Sequence, residues 1–370
     1  MSENWMGDKL SVAPETSTDY KTLNQNVQIR EPKRRTLSVD ELAQKVLEGS
    51  RPHIAQAITL VESSLPAHRR ISRKLLRILR PHSGKAIRVG ITGVPGAGKS
   101  TFIDAMGQKL VEQGKKIAVL AIDPTSTKTG GSILGDRTRM GKLAQSDNVF
   151  IRPSPTSGQL GGVARATRET MIVMEAAGYD VTMIETVGVG QSEVAVAGMV
   201  DTFLLILLAG AGDQLQGIKR GILEMADIVT INKADGDNEG EARVAARDLK
   251  IALKLITSDP NARRAPVLTS SSVTGKGLDE IWQAVLDHRK YLEETGQLEK
   301  HRADQQLQWL WALVKDELED ALRESDGVKA IRKQMEDDVV SGETSALEAS
   351  AEILQAYVKD LPAIINKDEA

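Results

Sequence analysis

Residues 86–101 read "AIRVGITGVPGAGKST", and few short stretches narrow the choice of fold as far. An apolar run of strand length ends in a glycine-rich turn, and the turn opens a helical stretch. The turn itself, "GVPGAGKST" at 93–101, fits the spacing Gly-x-x-x-x-Gly-Lys-Ser in the strand-to-helix context that gives this pattern its weight. Gly93, Gly96 and Gly98 let the backbone curl so that its amides converge, and the helix N-terminus adds positive potential at the same place. Phosphate is the natural occupant. Lys99 would reach the β and γ phosphates, Ser100 would ligate Mg²⁺, and Val94, Pro95, Ala97 and Thr101 complete the lining.

Downstream, the chain keeps the same rhythm. "KIAVLAID", "NVFIRP", "DVTMIE", "DTFLLILLA", "DIVTIN" and "APVLTSS" are short apolar runs separated by helical stretches. Near-continuous Val/Ile/Leu runs of this length suit strands buried on both faces, so residues 85–294 read as an α/β domain with a mainly parallel central sheet flanked by helices. Residues 1–36 are polar and lack periodicity, which reads as a flexible extension, and "PKRR" at 32–35 reads as a solvated linker. Residues 37–84 are helical: "SVDE" at 38–41 has the form of a capping box, and "IAQAITLVE" and "ISRKLLRILR" carry apolar residues at helical spacing. The second puts Arg73, Lys74, Arg77 and Arg80 near an exposed face, either solvated or docked to a partner. Residues 295–370 are helical again. "LQWLWALVKDELEDAL" aligns Leu307, Leu310, Trp311, Val314 and Leu318 in one stripe, which requires either a fold-back cover or a dimer arm.

Composition excludes several classes. The net charge of -3 over 370 residues offers no nucleic-acid surface. With no cysteine there are neither disulfides nor thiolate metal sites, and the five histidines are scattered without ligand spacing. No apolar run approaches the roughly 18–20 residues that cross a bilayer, and the N-terminus resembles neither a secretory signal nor an acid-poor transit peptide. The expectation is a cytoplasmic protein with no membrane or nucleic-acid partner.

The remaining motifs lie at strand ends, where ligands bind in such sheets. "NKAD" at 232–235 suits guanine, because the Asp235 carboxylate can accept from the ring N1 and exocyclic amino hydrogens, a donor pair adenine lacks; Asn232 and Lys233 belong with it. "SSS" at 270–272, followed by Val273, ends the next strand, where a backbone amide at Ser271 to Val273 could meet the guanine O6. Magnesium needs oxygen ligands, and the candidates are Ser100, Asp123, Asp136 and Glu185. In "MIETVGVGQSE" at 183–193, Gly188 can offer its amide to a γ phosphate, so the loop reads as a nucleotide sensor. Val189 stands where many GTPases keep a water-orienting glutamine, which predicts slow intrinsic turnover. Lys219, in the glycine-rich "GAGDQLQGIKRG", is the first choice among cations that could neutralise charge on the transferring phosphoryl group.

With those residues in place, the chain resembles the MeaB/ArgK-like family of P-loop GTPases. These are auxiliary G proteins of adenosylcobalamin-dependent acyl-CoA mutases and include the methylmalonic aciduria type A protein. The resemblance rests on "GVPGAGKST", "AIDPTSTKTGGSILGDRTRM", "FIRPSPTSGQLGG", "ETVGVGQSE", "AGAGDQLQGIKRG" and "INKADGDN", in that order across residues 86–290. It implies GTP hydrolysis to GDP and phosphate, accelerated by a partner, with Lys99 on phosphate and Ser100, Asp123, Asp136 and Glu185 around Mg²⁺ or its waters. It also implies Asp235 on guanine and Lys219 in an additional switch that the mutase reorganises. A homodimer held by the C-terminal helices follows, as does a chaperone role in gating adenosylcobalamin delivery to a methylmalonyl-CoA mutase type of enzyme. The cofactor would reach this chain only through that partner. "SSS" departs from the Ser-Ala usual at the guanine loop. The alternative reading is a protein kinase or ATPase linked to periplasmic transport of basic amino acids.

Overall fold

A computed structural model describes residues 37–63, 65–123, 140–155, 160–186, 192–209, 220–256 and 263–368. The chain divides into two units, Met1–Ser38 and Val39–Ala370, and every element below belongs to the second. Its frame is one sheet of seven strands: β1 (Ile87–Gly93), β2 (Ile117–Asp123), β3 (Val149–Pro155), β4 (Val181–Glu185), β5 (Thr202–Leu208), β6 (Ile228–Asn232) and β7 (Val267–Thr269). The order is β3-β2-β4-β1-β5-β6-β7, with every pairing parallel. From β1 the chain winds outward through β2 and β3, returns to β4, and then crosses to β5 on the other side. That reversal beside β1 opens a crevice at the strand C-terminal ends, the place such sheets offer to ligands.

Among the described residues, three α-helices precede the sheet: α1 (Val39–Leu47), α2 (Arg51–Glu62) and α3 (Pro66–Leu79). Pro52 and Pro66 sit at the starts of α2 and α3, where a missing N–H costs nothing and a fixed φ suits the helix. Between the strands run α4 (Lys99–Glu112), α5 (Leu160–Ala176), α6 (Ser192–Ala197), α7 (Arg220–Met225), α8 (Glu239–Ile256) and α9 (Leu278–Glu294). Alternation along β5 shows why both faces need cover. Leu204 and Ile206 pack with Phe102 and Ile103 of α4 and Trp282 and Val285 of α9, whereas Leu205 and Leu207 pack with Leu223 of α7 and Leu249 of α8. Each such burial stabilises by about 1.5–3 kcal/mol. Outside α5 lies a third layer, in which Leu42, Val46, Ile54, Ile58, Leu75 and Leu79 of α1–α3 enclose Val173 and Met174.

The C-terminal helices are α10 (Gln297–Glu324), α11 (Asp326–Ser341) and α12 (Ala346–Asp368). α10 is anchored at its base by Arg302, whose guanidinium grips the buried Asp201 carboxylate with Nε–Oδ1 at 2.8 Å and Nη2–Oδ2 at 2.7 Å. Ser325 caps α11 by accepting from the Val328 amide at 3.3 Å. A reciprocal capping box starts α12: the Glu348 amide donates to Ser345 Oγ at 3.2 Å and the Ser345 amide to Glu348 Oε2 at 3.1 Å. Of the two fates open to the stripe Leu307, Leu310, Trp311, Val314 and Leu318, fold-back cover is not found among the described residues. Each of the five is at least 37% exposed. Among the described residues, no helix is long and apolar enough to cross a membrane.

Candidate functional site

The loop after β1 is shaped by what surrounds it. A Cβ on Gly93 (φ 153°) would lie 2.1 Å from the Ile206 carbonyl oxygen, so only glycine lets the chain leave β1 this close to β5. Gly98 adopts φ 86°, in the left-handed region, and a Cβ there would meet Asn232 Nδ2 at 2.9 Å. Within the loop the Ala97 amide donates to the Val94 carbonyl at 3.1 Å, and the Phe102 amide begins α4 by donating to Gly98 at 2.8 Å. Below it, buried Thr186 ties the ends of β4 and β1 together: its amide donates to the Ile91 carbonyl at 3.0 Å and its hydroxyl to Thr92 Oγ1 at 2.8 Å.

Lys99 lies inside this curl. Its Nζ donates to the carbonyls of Gly93 at 2.9 Å and Val94 at 3.3 Å, and the side chain is largely buried. Burial pulls its pKa below the usual lysine range, while the carboxylates of Glu185 and Glu193 oppose that pull. Glu193, wholly buried on α6, acts on Lys99 although sequence reasoning did not single it out. Its signal was present: it is the second carboxylate of the "MIETVGVGQSE" segment. Ser100 Oγ donates to Glu185 Oε1 at 2.9 Å, joining the helix start to the end of β4. A hydroxyl and a carboxylate side by side form the hard-oxygen donor set that Mg²⁺ prefers, so this pair fits the ion.

The second half of the site hangs on Asn232, the last residue of β6, with 1% of its surface exposed. Its Nδ2 donates to the Ala97 carbonyl at 2.8 Å, and its Oδ1 accepts from Ser272 Oγ at 3.1 Å and Ser270 Oγ at 3.3 Å. One amide therefore joins the phosphate loop, β6 and the serine turn. Lys233 follows at φ 58°, a left-handed conformation for a non-glycine residue, and its Cε would lie 3.9 Å from a Cβ on Gly98. Asp235 Oδ2 accepts from Ser271 Oγ, which also accepts from the Thr274 amide at 3.1 Å. The serine side chains thus face inward, onto Asp235 and Asn232. Ser272 and Val273 donate their amides to no other described residue, and Val273 is 84% exposed.

The fold therefore brings Gly93 through Thr101, Glu185, Asn232, Lys233, Asp235 and Ser271 through Val273 to one edge of the sheet. Asp123 ends β2, the strand beside β4, and only its backbone is described. Asp136, Gly188 and Lys219 lie outside the described residues.

A wholly parallel sheet with this loop leaving its central strand, tied through Asn232 to the turn after β7, defines a P-loop nucleoside triphosphatase. The family model described as methylmalonyl Co-A mutase-associated GTPase MeaB matches residues 54–327, and the chain belongs to that family. It is a GTPase of a family linked to methylmalonyl-CoA mutase. Among similar proteins, a probable GTPase of Mycobacterium bovis is 56% identical over 318 residues, covering 86% of this chain and 95% of that protein. GTPase ArgK of Escherichia coli is 47% identical over 278 residues, 75% of this chain and 84% of that one. The mitochondrial methylmalonic aciduria type A homolog of Mus musculus is 43% identical over 329 residues, with 86% and 79% covered. The solved structure of a LAO/AO transport system kinase superimposes with a TM-score of 0.68 at 36% identity, covering 86% of this chain and 96% of that one.

Proposed function

We propose that the chain uses GTP binding and hydrolysis to gate adenosylcobalamin delivery to a cobalamin-dependent acyl-CoA mutase of the methylmalonyl-CoA type, and to protect that enzyme. What supports the GTP reading is the Asn232 junction: its amide joins Ala97 of the loop to Ser270 and Ser272, in the same turn whose Ser271 bonds Asp235. In this reading Asp235, oriented by Ser271, accepts from guanine, and the amides of Ser272 and Val273 face the base. Lys99 exchanges its two carbonyl partners for phosphate oxygens, and backbone amides of the loop surround the β phosphate, although Pro95 has no N–H and the Ala97 amide is given to Val94. Ser100 and Glu185, with Asp123 and Asp136, would hold Mg²⁺, which when bound neutralises charge on the triphosphate. Gly188 senses the γ phosphate, and Lys219 is the cation that a partner would bring to bear.

The uncovered stripe on α10 supports a homodimer held by the C-terminal helices. The mutase assignment rests on the family. The test is transfer of adenosylcobalamin to a purified acyl-CoA mutase in the presence of GTP, GDP or a non-hydrolysable GTP analogue. Transfer that depends on nucleotide state, with GTP turnover accelerated by the mutase, is the expected outcome. Transfer and turnover both indifferent to the other component would overturn the proposal. The alternative, a kinase linked to basic amino-acid transport, draws on the name of one solved relative. Transfer of labelled γ phosphate to a protein faster than release of free phosphate would favour it.

A further inference from the structure

Residues 198–201 join α6 to β5, and side chains on or beside α10 hold most of that turn. Gln305 Nε2 donates to the Val200 carbonyl at 2.8 Å, and His301 Nε2 lies 3.1 Å from the same oxygen. Asp201 is the carboxylate that Arg302 grips. Arg168 of α5 closes the set: its Nη2 donates to the Gly198 carbonyl at 2.6 Å and its Nη1 to the Gln305 carbonyl at 2.8 Å. One guanidinium therefore bridges the turn and α10. Its carbon also lies 5.9 Å from the centroid of the Trp309 ring, about one helical turn further along α10.

Among the described residues Arg168 pairs with no carboxylate, and burial pulls its pKa down to about 10. A half-buried cation held by carbonyls alone carries a desolvation cost that an apolar side chain of the same volume avoids. What the planar fork supplies is position, since it fixes two carbonyls of different segments relative to each other. α6 extends the connection toward the phosphates. It has six residues, about 9 Å of helix, with the wholly buried Glu193 near its start and Gly198 just past its end. Its middle rests directly on β1: a Cβ on Gly90 would come 2.8 Å from Val196 Cγ1 and 3.1 Å from Val200 Cγ2. So short a helix, packed without slack, shifts as one piece. Glu193 acts on Lys99, and a γ phosphate held by that lysine adds negative charge beside the carboxylate, which GDP does not.

We propose that α10 reports which nucleotide is bound, through α6 and the turn at 198–201, with Arg168 as the positioning residue that makes the connection. The inference rests on the nucleotide reading above and adds a mode of regulation to that site. GTP and GDP set α10 in two positions relative to the sheet, and its exposed stripe is presented differently in each. Reciprocity follows: whatever covers the stripe shifts the preference between GTP and GDP by the same factor. Arg168 touches neither nucleotide nor stripe; it acts through the two carbonyls it joins.

Hydrogen exchange read by mass spectrometry tests this on the full-length protein with Mg²⁺ and either GDP or a non-hydrolysable GTP analogue, calorimetry having measured the binding of each. Peptides covering residues 306–318 should exchange at rates that differ between the two nucleotides by at least about fivefold. In Arg168→Ala that ratio should collapse to within about 1.5-fold, while affinity for GDP stays within about threefold of the parent. An arginine that served packing alone would raise exchange equally in both states and leave the ratio untouched. Arg168→Lys, which keeps the charge without the planar fork, should restore part of the ratio. Gln305→Leu is the milder variant: it spares the Arg168 bridge, removes the bond to Val200, should lower the ratio about twofold, and decides alone if Arg168→Ala loses GDP. Both nucleotides bound with one exchange pattern in the parent would overturn the inference and leave the nucleotide site standing. A ratio unchanged in the variants would do the same. Calorimetry that found neither nucleotide bound would overturn the nucleotide reading, and the inference with it.

Discussion

Replacing Asn232 with alanine tests the physical link between the two halves of the nucleotide site. The substitution removes three hydrogen bonds, one to the Ala97 carbonyl and two from Ser270 and Ser272. The losses are unequal. Ser270 keeps its contact with Thr230 Oγ1 at 2.9 Å, and Ser272 is partly exposed, so water can replace its partner. The Ala97 carbonyl sits on a fully buried residue and is orphaned, at about 1–3 kcal/mol, to which the net value of the lost bonds adds about 1 kcal/mol. A total of about 2–4 kcal/mol predicts a fall in Tm of roughly 3–6 °C for the unit Val39–Ala370, at about 2.1 cal/mol/K of unfolding entropy per residue. Part of that energy is spent on loop order, so the Kd for GTP should rise about 10- to 100-fold at tenfold per 1.4 kcal/mol. Asn232→Asp sharpens the reasoning: it keeps the two serine contacts but aims a carboxylate oxygen at the Ala97 carbonyl, and should bind GTP less well than the alanine variant. Differential scanning fluorimetry and isothermal titration calorimetry read both quantities. A Tm within 1 °C of the parent and a Kd within threefold would refute the junction.

Three further outcomes are expected. Asp235→Asn should weaken GTP by at least about tenfold while improving xanthosine triphosphate, since it turns one acceptor into a donor, and competition binding with the two nucleotides measures this. Arg302→Ala should destabilise by about 3–5 kcal/mol, because it leaves the buried Asp201 charge facing Arg289 at 3.9 Å as its remaining cation; urea unfolding followed by circular dichroism tests it. Burial pulls the His288 imidazole down to about 4, so the folded state binds a proton less readily than the unfolded chain does. Its contribution is complete above pH 6.5 and lost as pH falls through 4. Asp227, 3.5 Å away and pushed up by burial to about 6, acts in the opposite sense over the same window and offsets part of the loss. Unfolding at pH 7.5 and 4.5 should therefore show His288→Gln losing about 2 kcal/mol less stability on acidification than the parent.

The frame was legible because its signals are local. Each apolar run from "AIRVGIT" to "DIVTIN" became a parallel strand, and the loop at 93–101 fell at the C-terminal end of β1, since periodicity and glycine placement need no knowledge of distant residues. "APVLTSS" shrank to Val267–Thr269 because the serines that follow bend inward to bond Asn232 and Asp235. Those bonds were not legible. Sequence assigned the serine turn to the guanine and left its hydroxyls without a task, whereas the fold spends them on orienting the two residues that the "NKAD" motif supplies. Glu193 was missed for the same reason: its action on Lys99 depends on where α6 comes to rest, and no spacing rule reports that.

The carbonyls of Gly93 and Val94 hold the Lys99 ammonium inside the loop, so the chain itself fixes where that charge lies. A side chain pinned at two points by its own backbone gives up little rotamer freedom in serving an anion brought to the same place.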